Sequence, residues 1–143
     1  MANSVPLLRY WNSAISDHFY TTDYGELGAG ADGYTAEGTS CEVFADEAAD
    51  LVPLYRYWSP GATDHFYTTN WAELGEGADG YNFERIACYV WTDASHGGWP
   101  FYRYWNPVLT DHFYTADFGE LGAQKEGWHL ESIQCFIIRV GTL

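Results

Sequence analysis

Pro53-Leu54-Tyr55-Arg56-Tyr57-Trp58-Ser59-Pro60-Gly61-Ala62-Thr63-Asp64-His65-Phe66-Tyr67-Thr68-Thr69 reads as two strands around a turn. The first six residues are aromatic and suit a pleated, half-buried surface. Ser59-Pro60-Gly61-Ala62 has turn chemistry. Asp64-His65-Phe66-Tyr67-Thr68 then returns as a second strand. The same words occur 47 residues earlier, as Arg9-Tyr10-Trp11 and Asp17-His18-Phe19-Tyr20-Thr21. They occur again 47 residues later, as Arg103-Tyr104-Trp105 and Asp111-His112-Phe113-Tyr114-Thr115.

Residues 6–44, 53–91 and 100–138 align without a gap. Fifteen of these 39 positions are identical in all three copies: Pro6, Arg9, Tyr10, Trp11, Asp17, His18, Phe19, Tyr20, Thr21, Glu26, Leu27, Gly28, Gly33, Glu37 and Cys41, with their counterparts. A fixed period of about 20–50 residues marks a repeat architecture. Beyond the hairpin, Asn70 is placed to cap a helical turn, Trp71-Ala72-Glu73-Leu74, which Gly75 and Gly77 end. Gly80-Tyr81 turns the chain, and residues 82–92 read as one long strand or two short ones. Along it Ile86, Cys88 and Val90 fall on one apolar face, as do Ile133, Cys135 and Ile137.

The fold class expected is mainly β with short helical turns. Three repeats, about 5–51, 52–98 and 99–143, make a single domain over 1–143, joined by linkers at 45–51 and 93–98. One unit is too small to bury its own aromatic face, so the three are expected to close into one pseudo-threefold domain. A β-trefoil-like closure is preferred for the length; a three-bladed, propeller-like ring is the alternative. Cys41, Cys88 and Cys135 share one place in the repeat. An odd count, with no His or second Cys at ligand spacing, points to small buried hydrophobes rather than to a disulfide frame or a metal site.

The chain has 143 residues, 47% hydrophobic and 19% aromatic, enough for a core. No apolar run approaches the roughly 18 residues of a membrane helix. Its net charge of −14 repels nucleic-acid phosphates and anionic membrane surfaces. No basic-then-apolar leader precedes the repeats, so cytoplasmic residence is expected, with non-classical release open.

Tyr102-Arg103-Tyr104-Trp105-Asn106-Pro107, then Asp111-His112-Phe113-Tyr114-Thr115, then Glu120 and Gly127-Trp128, resemble a family of tandem repeats of unknown function. That family occurs in bacterial cell-surface and cell-wall-associated proteins and in some fungal proteins. The resemblance covers nearly the whole chain, three times. The chain departs from the family's Glu-Gly pair, kept as Glu37-Gly38 but replaced by Glu84-Arg85 and Glu131-Ser132. The family's company implies binding to glycan or cell-wall polysaccharide. The acidic, leaderless format is similar to small cytosolic mushroom lectins.

Function is read from what repeats. Trp11, Trp58 and Trp105 offer three equivalent rings on which sugars stack their C–H faces. Asp17 with His18, Asp64 with His65, and Asp111 with His112 offer groups that fix hydroxyls. Tyr20, Tyr67 and Tyr114 share the His side of their strands. These twelve residues are the candidate ligand-binding set. The competing reading is that they specify the fold: Arg9 pairing with Asp17 or Glu37, His18 bonding a backbone carbonyl, aromatics packing. Tyr24, Trp71 and Phe118 stay aromatic while changing identity, so their exposure is what matters. A multivalent lectin is expected, with no catalytic residues, no metal and no cofactor. A protein-binding defence or inhibitor module using the unequal linkers is the alternative. A glycan hydrolase is disfavoured because hydrolase motifs are absent and every candidate comes in triplicate.

Overall fold

The alternation of aromatic and polar residues in each hairpin produces strands, and the short polar words between them produce turns. A computed structural model describes residues 3–139; the ends of the expected domain, 1–2 and 140–143, lie outside the described residues. The first unit runs β1 (Ser4–Asn12), β2 (Asp17–Thr21), α1 (Tyr24–Leu27), β3 (Gly30–Ala31) and β4 (Tyr34–Phe44). The second runs β5 (Val52–Ser59), β6 (Asp64–Thr68), α2 (Trp71–Leu74), β7 (Gly77–Ala78) and β8 (Tyr81–Val90). A 3₁₀ turn, Ala94–His96, lies in the second linker. The third unit runs β9 (Trp99–Asn106), β10 (Asp111–Thr115), α3 (Phe118–Leu121), β11 (Gln124–Lys125) and β12 (Trp128–Ile137).

The fold is mainly β, and all pairing is antiparallel. Each unit orders its strands as β2-β1-β4-β3, β6-β5-β8-β7 and β10-β9-β12-β11. A single residue pair, Phe44↔Tyr89, joins the first two units into one eight-stranded sheet beside the four-stranded sheet of the third. Trp91↔Phe136 and Glu42↔Ile138 bridge the other two borders. No barrel closes among the described residues.

The helical turns obey their caps. The Asn70 side chain accepts the Ala72 N–H at 3.0 Å, and Asp23 and Asp117 do the same for Gly25 and Gly119. Each turn ends at a glycine with φ near +58°, a left-handed value that suits a residue without Cβ. The carbonyls of those glycines accept the hydroxyls of Tyr10, Tyr57 and Tyr104 at 2.7, 2.6 and 2.7 Å, which ties each turn to its first strand.

The long return strand is interrupted twice. In β4 the register shifts between Leu7 and Leu8 and between Arg9 and Tyr10, leaving Ser40 and Glu37 without partners across the ladder. Ala87 and Glu84 occupy the same places in β8, as do Gln134 and Glu131 in β12. A bulge re-aims its side chain, and here it turns three glutamates toward the unit borders. It also overturns a sequence expectation. Ile133 does not share the buried face of Cys135 and Ile137; the bulge at Gln134 breaks the two-residue period, and Ile133 stands 48% exposed.

The innermost strands β2, β6 and β10 are buried at every position. Both faces are covered, so neither side forms the polar-aromatic surface expected of them. The Tyr20, Tyr67 and Tyr114 rings meet edge to face at 5.3–5.5 Å. Each hydroxyl completes two backbone bonds in the preceding unit of the cycle. Tyr67 O–H donates to the Tyr20 carbonyl at 2.9 Å and accepts the Tyr20 N–H at 2.7 Å. Tyr114 does this for Tyr67, and Tyr20 for Tyr114. Cys41, Cys88 and Cys135 are free thiols in the same core, beside Leu7, Leu54 and Phe101, and burial pushes all three thiols up.

Candidate functional site

The candidate residues divide by depth. Tyr20, Tyr67 and Tyr114 are fully buried with both hydroxyl functions used, so they present nothing to a ligand. Asp17, Asp64 and Asp111 are also fully buried. Each carboxylate receives the next unit's histidine twice. Asp17 accepts the His65 N–H at 2.8 Å and faces its Nδ1 at 2.5 Å. Asp64 holds His112 in the same way, and Asp111 holds His18. Trp11, Trp58 and Trp105 lie against their own unit's histidine, ring centroids 4.5 Å apart, so one Trp face is covered by protein.

One oxygen from each aspartate comes within 4.8 Å of the others, the one such group among the described residues able to surround an ion. The oxygens already accept histidine bonds, so the set is arranged as an anion cluster held by donors. Three buried carboxylates at this distance repel one another, and a retained proton relieves the repulsion. Tyr34 O–H donates to Asp17 at 2.5 Å and Tyr81 O–H to Asp64 at 2.6 Å. The third unit has Trp128 at that place, so Asp111 lacks such a donor. Burial, then the charges of Asp64 and Asp17, push the Asp111 carboxyl up to about 10. Burial and the Arg9 charge hold His18 down to about 3. Burial opposes charge on His65 and His112 too, but their hydrogen bonds to Asp17 and Glu84, and to Asp64 and Glu131, prevail and raise them.

These shifts fix a pH dependence. In the fold the Asp111–His18 pair binds one proton from about pH 3 to about 10. Unfolded, with ordinary values of 3.8 and 6.5, it binds one between those values and none above 6.5. The pair therefore loses stability as pH rises above 6.5. His65 and His112, being raised, contribute stability present below 6.5 and lost as pH climbs through their folded values. Glu26, Glu84 and Glu131 are lowered despite burial by Arg and His partners, so their contribution is present above 4.5 and fades as pH falls. Thermal unfolding followed from about pH 4 to about pH 9 is expected to peak between about 4.5 and 6.5. Maximal stability in the alkaline range would contradict the assignment.

The surface of this network opens as a cleft at two of the borders. Between the third and first units, Arg9, His18 and the bulged Glu37 face Phe113, Glu120 and Trp128 across a space of about 210 Å³. Arg9 Nε binds Glu37 at 2.9 Å, its Nη1 reaches Glu120 at 3.5 Å, and its guanidinium lies 4.8 Å from the Phe113 centroid. His18 Nε2 is 3.5 Å from Glu37. Between the second and third units, His112 faces Phe66, Glu73 and Tyr81 across about 170 Å³, and beside it Arg103 binds Glu131 and Glu73 and lies over the Phe66 ring. Between the first and second, Arg56 is clamped by both Glu26 oxygens at 3.0 and 3.1 Å and by Glu84 at 2.8 Å. Each cleft thus joins a cation, two carboxylates, an imidazole edge and an aromatic wall.

Of the twelve candidates, only the histidine edges reach a cleft. Arg9, Glu37, Glu120 and Trp128, with their counterparts, build its walls. Their signal was present, since Arg9, Glu26 and Glu37 are among the identical positions, but one cleft draws on two units and no local spacing shows that. The semi-variable aromatics are exposed: Tyr24 63%, Trp71 41% and Phe118 46%. No helix among the described residues is long and apolar enough to cross a membrane.

No curated protein and no solved structure matches the chain. One family does, over residues 3–138, under the description "Domain of unknown function (DUF5648)". That match covers nearly the whole chain, which therefore belongs to the DUF5648 family of domains of unknown function.

Proposed function

We propose that the protein is a multivalent glycan-binding protein whose sites are the border clefts, without covalent chemistry. The observation that carries this reading is the recurrence of one polar-aromatic cleft at successive unit borders. A pyranose offers hydroxyls that accept from guanidinium and imidazole N–H and donate to carboxylates, while its C–H face takes an aromatic wall. The walls are ion-paired and partly buried, so little ordering remains to be done on binding. The exposed Tyr24, Trp71 and Phe118 supply further stacking surface near the clefts.

The arrangement we favour is a pseudo-threefold, propeller-like ring. Phe44↔Tyr89, Trp91↔Phe136 and Glu42↔Ile138 fall at corresponding repeat positions and run around the three units in order. The tyrosine and Asp–His contacts do the same. A trefoil-like closure calls for a barrel, and none is formed among the described residues. Repetition then has a use: weak sites on one body gain avidity of roughly 10²–10⁴ on a clustered surface.

Agglutination of glycan-coated beads, competed by free sugars, tests the reading. Trp128→Ala combined with Tyr81→Ala, which strips two aromatic walls, is expected to abolish agglutination and leave a folded protein. Failure of the parent protein to bind any glycan surface at high concentration would refute it.

A second reading, a protein-binding module, rests on a hollow of about 420 Å³ at the linkers, lined by Phe44, Leu51, Trp91 and His96. Its lining draws on both linkers, whose sequences differ from each other, as suits an asymmetric partner. Sugar-insensitive capture of one protein at fixed stoichiometry would favour it.

A further inference from the structure

The three borders share one plan, yet the one at Arg9 is cut away beyond its cleft. Arg9, Glu37 and Glu120 form the wall of a second compartment of about 210 Å³, which continues past them to Ser40, Thr115 and Arg139. Gly38 opens it: φ is +111° and no atom lies within 4 Å of where a Cβ would stand. The Ser40 hydroxyl is buried with no hydrogen-bond partner among the described residues. Past Gly38 lies a third, mainly apolar compartment of about 280 Å³, with Leu8, Ala36 and the exposed Tyr24.

Larger residues stand at several of these places in the other units. Arg85 stands where the first unit has Gly38, and it acts on Glu26 at its own border. Gln134 stands where the first has Ser40, and its Oε1 accepts the Thr69 N–H at 2.8 Å across the border. Tyr55 and Phe83 stand where the first has Leu8 and Ala36, and their rings close on Trp71 at 4.9 and 5.3 Å. Tyr102 closes on Phe118 at 5.3 Å.

We infer that the Arg9 border is an extended groove for a linear oligosaccharide, from the Trp128 wall over Gly38 to Tyr24, whereas the other two borders take single terminal sugars. This rests on the glycan-binding reading above. Each compartment alone is below the roughly 300–1,000 Å³ usual for ligand pockets, but each borders the next: the first two share Arg9, Glu37 and Glu120, and the second and third share Arg9, Gly38 and Thr39. Polar walls of both signs followed by an apolar floor suit a neutral polyhydroxylated chain.

The test begins with an array carrying mono- to tetrasaccharides of hexoses, N-acetylhexosamines and uronic acids. The sugar it selects is then titrated calorimetrically, as monosaccharide and as linear tetrasaccharide, into wild type and into Ala36→Phe/Ser40→Gln. Both substitutions borrow residues that another repeat carries at the same place, and thermal unfolding checks that the fold survives. Wild type is expected to show one site about tenfold tighter for the tetrasaccharide than for the monosaccharide. The double variant is expected to lose that preference and keep monosaccharide binding. Equal length dependence in both proteins, or none in wild type, overturns the groove while leaving the border clefts standing. No binding to any arrayed glycan overturns both.

Discussion

Tyr67→Phe is expected to destabilise the protein by roughly 2–6 kcal/mol, although it removes one oxygen atom. That oxygen accepts the Tyr20 N–H and donates to the Tyr20 carbonyl, both in a strand with no exposed position. Each buried backbone group left without a partner costs about 1–3 kcal/mol. Since a domain of this size is stable by about 5–15 kcal/mol in total, much of the margin is lost. Urea unfolding gives the value. A loss below about 1 kcal/mol would mean that the tyrosine ring packs without these bonds carrying weight.

Asp64→Ala is the second large effect, expected at about 3–5 kcal/mol. The Asp64 carboxylate faces the His112 N–H at 2.9 Å, its Nδ1 at 2.5 Å and the Tyr81 hydroxyl at 2.6 Å. Removing it strands three groups at the contact between the second and third units. His112 also loses the partner that holds it charged, so the raised pKa is expected to fall. Histidine titration by NMR reads that change apart from stability. The same substitution relieves repulsion on Asp111, whose carboxyl is expected to move down from about 10. An unmoved His112 would contradict the pairing.

Much of the architecture was legible before any coordinates. The 47-residue period, the mainly β content, the cap at Asn70 and the buried cysteines follow from residue type and spacing alone, since each is a local rule. The bulges were not legible. Nothing in Ile133-Gln134-Cys135 announces that Gln134 steps out of the ladder and exposes Ile133, nor does Leu130-Glu131-Ser132 announce the second step that aims Glu131 at the border. The site suffered for a related reason. The Asp-His-Phe-Tyr-Thr words drew attention as repeated polar and aromatic groups, but repetition also marks residues that weld one unit to the next. Asp111 with His18, and Tyr20 with Tyr114, are such welds, each joining residues over 90 positions apart. What remains for a ligand is the outer edge of the same network, where Arg9, Glu37 and Glu120 meet.

The symmetry-breaking positions carry information that the identical ones do not. Trp128 in place of Tyr34 and Tyr81 leaves Asp111 without the hydroxyl donor that Asp17 and Asp64 have. Gly38 and Ala36, smaller than Arg85 and Ser132 and than Phe83 and Leu130, open a groove at one border. Both changes fall at the border of the first and third units, so the most distinctive chemistry of the chain gathers there.

The most direct test of the central claim is a crystal structure of the protein soaked with the sugar that best competes in agglutination. The account predicts sugar density in the border clefts, touching Arg9 with Glu120 and Arg103 with Glu73, and extending over Gly38 at the first of these when the sugar is a tetramer. Density confined to the linker hollow at Phe44 and Trp91, or to no cleft at all, would contradict it.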